Sequence, residues 1–244
     1  MSRFVVFVLL LALAACGTVN QSIEVAQGER VEGDLRSVNG AVRIGEEAQV
    51  SGSLSSVNGP VEVGERARVG AITNVNGRIE IHAGAETGPT ESVNGAVTLG
   101  EQASITGNLS AVNGSIEVGE SGQVDGDVVT VNGRVSLGPN ARVAGKVANV
   151  RGKIALDGAF VEQVETTAGS IDLTGATVVE GKLRVKAPEN SDTDVPQIVI
   201  GPQVKVGGPL QFDREVKLLI HDDADVGEII GAEPECFSCE ITDL

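Results

Sequence analysis

Tryptophan and tyrosine are missing from this 244-residue chain, and phenylalanine occurs only five times. The aromatic faces that stack on bases or grip sugars are therefore scarce. Positive charge is scarce as well. Eighteen Lys and Arg stand against 34 Asp and Glu, a net charge of −16. Such a surface repels a phosphate backbone, so nucleic acid is not an expected partner. Histidine occurs twice, as His82 and His221, and cysteine three times, as Cys16, Cys236 and Cys239. Neither histidine stands in a metal-ligand spacing, and no phosphate-cradling glycine loop or nucleophile elbow is present. No catalytic residue, metal or cofactor is expected. Helical periodicity is missing beyond the first fifteen residues, which excludes a helix bundle. Glycine is abundant at 32 residues, yet 41% of the chain is hydrophobic, which is not a disordered composition.

The opening is Met1-Ser2-Arg3 followed by an apolar run from Phe4 to Ala15. One positive charge before about a dozen apolar residues reads as a secretory leader, too short for a membrane span of about 20 residues. The run ends in Leu13-Ala14-Ala15-Cys16, which resembles the lipobox of bacterial lipoproteins. That resemblance implies cleavage before Cys16 and acylation of its residue. Gly17, in place of Asp at the sorting position, implies the outer membrane, with the face left open. Cleavage removes only Arg3 among the charged residues, leaving a mature charge of −17.

What the chain has in quantity is a repeat. Val-Asn-Gly occurs six times, at Asn39-Gly40, Asn58-Gly59, Asn76-Gly77, Asn94-Gly95, Asn113-Gly114 and Asn132-Gly133, each after a valine. The copies are 18 or 19 residues apart, and a degenerate Val150-Arg151-Gly152 follows. A fixed short period marks units that stack on their neighbours. Within a unit the apolar residues step by 2, 4, 2, 4 and 3, as in Val42, Ile44, Ala48, Val50, Leu54 and Val57. A step of two keeps side chains on one strand face, and the longer steps turn a corner. The inward set so predicted includes the repeat valines Val57, Val75, Val112, Val131 and Val150. Three strands and three corners describe a triangular coil. The predicted fold is all-β, a single-stranded parallel β-helix of about ten coils, roughly 50 Å long at the usual strand spacing. Asn-Gly is expected at one corner, where both residues tolerate the left-handed region and stacked asparagines form a ladder. A series of Asn-Gly hairpins is the less favoured alternative.

The expected organisation is a leader over 1–15, an anchor linker over 16–22, and a solenoid over 23–186. A polar surface loop follows over 187–197, then coils over 198–230 and a cap over 231–244. Segments such as Gly33-Asp34-Leu35, Ile44-Gly45-Glu46-Glu47-Ala48-Gln49-Val50-Ser51-Gly52 and Gly126-Asp127-Val128 resemble bactofilins, over roughly residues 30–150. The resemblance implies a right-handed triangular β-helix that polymerises end to end. It is also similar to envelope solenoids of adhesin type.

Chemistry is sparse. His82 and His221 are expected as outward corner or strand residues. Glu46, Glu65, Glu101 and Glu120 follow corner glycines and would stack into a row, read as a solvated edge ahead of a Ca²⁺ collector. Arg43 and Glu62 are expected as neighbours across coils. Cys236 and Cys239, in an exported chain, are expected to pair as a disulfide. The expected function is a non-enzymatic outer-membrane lipoprotein with a structural or adhesive role. A polymer-forming scaffold is the first alternative and a carbohydrate-binding or carbohydrate-active β-helix the second. The expected partners are the membrane, through acylated Cys16, and either other copies or an envelope glycan.

Overall fold

The computed structural model describes residues 21–188 and 194–236. Cys16, the leader and Cys239 lie outside the described residues, and of Cys236 only the backbone is described. Every strand pairing among the described residues is parallel and joins one coil to the next. The hairpin alternative is thereby excluded, because hairpins would pair antiparallel.

One face is a sheet of twelve strands, from Ile23–Val25 through Val42–Ile44 and Val61–Val63 to Lys217–Ile220 and Pro234–Cys236. The other two faces form a continuous twenty-stranded system. One of them is built from two-residue strands such as Gln49–Val50 and Arg68–Val69. The other is built from longer strands such as Leu54–Asn58 and Ile72–Asn76. Register is strict: Val42 pairs with Val61, Ile44 with Val63, and Val50 with Val69. A single strand, Arg142–Arg151, runs across both of these faces with an irregularity between Val143 and Lys146. Eleven coil-to-coil steps at about 4.8 Å give a rod of roughly 53 Å.

The core follows from β-branched alternation on each short strand. Val42, Leu54, Val61, Ile72, Ile79, Leu109 and Ile116 are fully buried, and Ala48, Ala67 and Ala103 fill a corner position that holds Val204 in a later coil. Each fully buried Val, Leu or Ile contributes about 1.5–3 kcal/mol of hydrophobic stabilisation.

The repeat valines correct the expectation. Val57, Val112, Val131 and Val150 point outward and are 36–41% exposed, and Val38 and Val93 behave alike. Val75 is half-buried. The inward residue is the one before each valine: Ser37, Ser56, Asn74, Ser92, Ala111, Thr130 and Asn149. The strand simply continues its two-residue alternation past Leu54 to Ser56, and the corner comes after the valine. Four of the seven, Ser37, Ser56, Ser92 and Thr130, bring hydroxyls that donate to corner carbonyls. Ser56 Oγ donates to the Gly59 carbonyl at 3.2 Å and Ser92 Oγ to that of Gly95 at 3.1 Å. A buried polar group is tolerable when it is hydrogen-bonded in this way.

The asparagine ladder is present. Asn58 Nδ2 donates to Asn39 Oδ1 at 2.8 Å, Asn76 to Asn58 and Asn94 to Asn76 at 2.9 Å, and Asn113 to Asn94 and Asn132 to Asn113 at 3.0 Å. The reason for Asn-Gly differs from the one expected. None of the six asparagines has a positive φ, and of the following glycines only Gly77 does. Close approach explains the glycines: a Cβ on Gly59 would lie 2.2 Å from the Gly40 carbonyl oxygen, and one on Gly95 1.9 Å from that of Gly77.

The left-handed conformation occurs instead at the first corner, at Glu47, Arg66, Gln102, Ser121, Asn140 and Gln203, with φ between 55° and 62°. Side chains resist that region by about 1–2 kcal/mol, partly offset by the larger unfolded entropy of glycine. Gln102→Gly is therefore expected to stabilise the rod by up to about 1 kcal/mol. A urea midpoint below that of the parent chain would contradict this.

Candidate functional site

The first corner carries the densest charge. There the first face turns into the two-residue strands, and the corner position is Gly45, Gly64, Gly100 or Gly119 in neighbouring coils but His82 in the fourth. An open groove of about 750 Å³ runs along this edge, lined by Glu24, Arg43, Glu46, Glu62, Glu65 and His82 among others. Strict register places Glu24, Arg43, Glu62 and Glu80 in one outward column. Arg43 bridges its neighbours, with Nη1 3.2 Å from Glu24 Oε1 and Nε 3.7 Å from Glu62 Oε2. Arg43 and Glu62 are thus cross-coil neighbours, as the repeat spacing predicts. Glu62 and Glu80 are like charges directly opposite each other, an unfavourable pair. Two cations relieve it, Arg43 at Glu62 and Arg78, whose Nε lies 2.9 Å from Glu80 Oε1. His82 Nε2 lies 3.3 Å from Glu62 Oε1.

Glu62, Glu80 and His82 bring one ligand atom each to within 4.8 Å of one another. Two carboxylate oxygens and an imidazole nitrogen are a donor set that Zn²⁺ accepts, with water completing the coordination. Both carboxylates already hold guanidinium groups, and His82 and Glu62 are 44% and 45% exposed. A metal there would have to compete with Arg43, Arg78 and solvent. In the arrangement present, the cluster is a surface ion-pair network of the kind worth under about 1 kcal/mol per pair.

The glutamate row is not continuous. Glu46, Glu65, Glu101 and Glu120 are all exposed, and Ala83 occupies the same position in the intervening coil. Arg66 further engages Glu47 at 3.1 Å and Glu65 at 3.2 Å, which raises the Arg66 pKa chiefly through the hydrogen bond to Glu47. His221 occupies the equivalent corner seven strands along from His82, about 34 Å away at the usual spacing. Its Nδ1 accepts from the Asp223 amide at 3.1 Å. The two histidines do not converge, and both are corner residues as expected.

A second polar column escaped the repeat reading. Asp34, Asn108 and Asp127 each stand after a corner glycine and cap the next coil. Ser53 N donates to Asp34 Oδ1, Asp127 N to Asn108 Oδ1 and Lys146 N to Asp127 Oδ1, at 2.9–3.0 Å. The Ser53 amide and hydroxyl hold the Asp34 carboxyl below the usual range. The signal available was an Asp or Asn after glycine at the coil period. Near the other end, Arg184 binds Asp213 through Nε at 2.8 Å and Nη2 at 2.6 Å and holds its carboxyl low. Arg214 ties the loop to the rod by donating to the carbonyls of Asp194 and Thr167. Among the described residues no helix is long and apolar enough to cross a membrane. Comparison with known protein families, with curated proteins and with solved structures finds no match to this chain.

Proposed function

We propose that the chain is a non-enzymatic lipoprotein of the outer membrane, anchored through acyl chains on Cys16 and acting as a structural or adhesive rod at the cell envelope. The observation that carries this reading is the short sequence spacing between the lipobox-like segment and the first strand of the rod. The first strand opens at Ile23, seven residues beyond the lipobox-like Leu13-Ala14-Ala15-Cys16. A stack of twelve parallel strands then runs from Ile23–Val25 to Pro234–Cys236 along the first face. Each buried CH₂ of an acyl chain contributes about 0.8 kcal/mol, so several chains on one residue suffice to hold it.

Cys16→Ser is expected to release the protein from the membrane fraction. A variant still recovered with membranes and with its leader attached would end the anchored reading. A bactofilin-like scaffold is the second reading. It is favoured by the two end strands, since Ile23–Val25 and Pro234–Cys236 each pair on one side only among the described residues. Electron microscopy of the Cys16→Ser protein separates the two readings: discrete rods of about 50 Å support the first and long filaments the second. Binding to a glycan array would instead point to a carbohydrate ligand.

A further inference from the structure

We propose that Asn132, the last rung of the asparagine ladder, is a site of spontaneous deamidation, and that the rungs below it are protected by the ladder itself. Asn followed by Gly is the sequence most open to this reaction, because no side chain shields the attacking amide. The Gly133 nitrogen loses its proton and attacks Asn132 Cγ. A C–N bond forms, the Cγ–Nδ2 bond breaks, and ammonia leaves, giving a succinimide. Water then opens the ring to aspartate or isoaspartate. Only solvent is needed as co-reactant.

All six asparagines of the ladder are exposed and precede glycine, so exposure and local sequence do not distinguish them. The attacking amide is alike at three of them: the Gly59, Gly77 and Gly133 nitrogens each donate to a carbonyl of the next coil, at 3.0, 3.3 and 3.2 Å. Between Asn132 and its counterparts Asn58 and Asn76 the side-chain bonds make the difference. Asn58, Asn76, Asn94 and Asn113 each donate from Nδ2 to the rung below and accept at Oδ1 from the rung above. Asn39 accepts from Asn58 and has a further interaction of its own. Asn132 donates to Asn113, and no described residue donates to its Oδ1. The residue in register above it is Arg151, where the repeat loses its asparagine. Attack at Cγ requires the side chain to swing out of the ladder. At an inner rung two side-chain bonds are lost, and at Asn132 only one. The difference corresponds to about fivefold in rate, for one net hydrogen bond of about 1 kcal/mol.

The product side points the same way. A carboxylate at an inner rung no longer donates to the oxygen below it, and its register neighbours are amides. A carboxylate at position 132 faces Arg151, which makes no ion pair among the described residues. Deamidation at this rung therefore produces a compensated charge.

The test is prolonged incubation of the folded full chain in mildly alkaline buffer, followed by peptide mapping that resolves Asn, Asp and isoaspartate at each Asn-Gly. Asn132 is expected to convert about fivefold faster than Asn58 and Asn76, whose following glycine amides are held as that of Gly133 is. Asn76-Gly77-Arg78 shares the downstream residue of Asn132-Gly133-Arg134 and is the internal control. In concentrated urea the difference is expected to vanish. Arg151→Asn adds one rung, so Asn132 is expected to slow to the inner rate and the excess to move to position 151. Equal rates in the folded chain would overturn the proposal. So would an excess at Asn132 that persists in urea or survives Arg151→Asn.

Discussion

Val118→Asp is expected to destabilise the rod by more than about 4 kcal/mol, because it places a charge in an apolar interior with no partner. Val118 is 1% exposed and packs in register between Leu99 and Leu137, with no cation on the inward side of those strands. Glu117→Asp, one residue earlier, is expected to stay within about 0.5 kcal/mol, as surface changes usually do. Glu117 is exposed on the outer face between Thr98 and Ser136. Urea midpoints read the contrast. A solenoid unfolds in units, so amide hydrogen exchange at Leu99 and Leu137 is the sharper probe of local opening. Midpoints that coincide would refute the assignment of inward and outward positions on the first face.

The second large effect concerns the corner glycines. Gly114→Ala is expected to cost about 3 kcal/mol or more, because overpacking here cannot be relieved by a rotamer change. The added Cβ would lie 1.9 Å from the Gly95 carbonyl oxygen and 2.6 Å from its carbon, both backbone atoms. The backbones of two coils would have to separate, and the Asn94 and Asn113 rungs would separate with them. Gly138→Ala is the control. The nearest atoms to its Cβ are Glu120 N and Val118 O at 3.4 Å. Its cost is expected to stay below about 1 kcal/mol, toward the tolerated end of core size changes. Thermal unfolding of the two variants decides the matter. Equal losses would mean that the Asn-Gly corner is not set by coil-to-coil contact.

The fate of particular residues shows how far the repeat carries. Asn58 and Asn76 are 18 residues apart in an 18-residue coil, so a stacked ladder follows from spacing alone. Arg43 and Glu62 meet for the same reason. The Glu62, Glu80 and His82 cluster was not legible. It requires knowing that His82 stands at a glycine corner and that the corner turns its ring back toward the previous coil. The asymmetry between Asn132 and the inner rungs likewise needed the register that puts Arg151 above it.

By itself the sequence determined the fold class, the parallel stacking, the coil length and the alternating core of the first face. Those properties are local or periodic: β-branched residues two apart define a strand face, and identical units can bury that face only against one another. Tertiary structure alone decided where the chain turns. Val57 and Ser56 exchange sides depending on whether the corner falls before or after the valine. A valine on hydropathy grounds belongs inside and a serine outside. The serine takes the interior because its hydroxyl finds a partner there: Ser56 Oγ donates to the Gly59 carbonyl, which also accepts from Asn74 Nδ2, and only the closed coil presents that carbonyl.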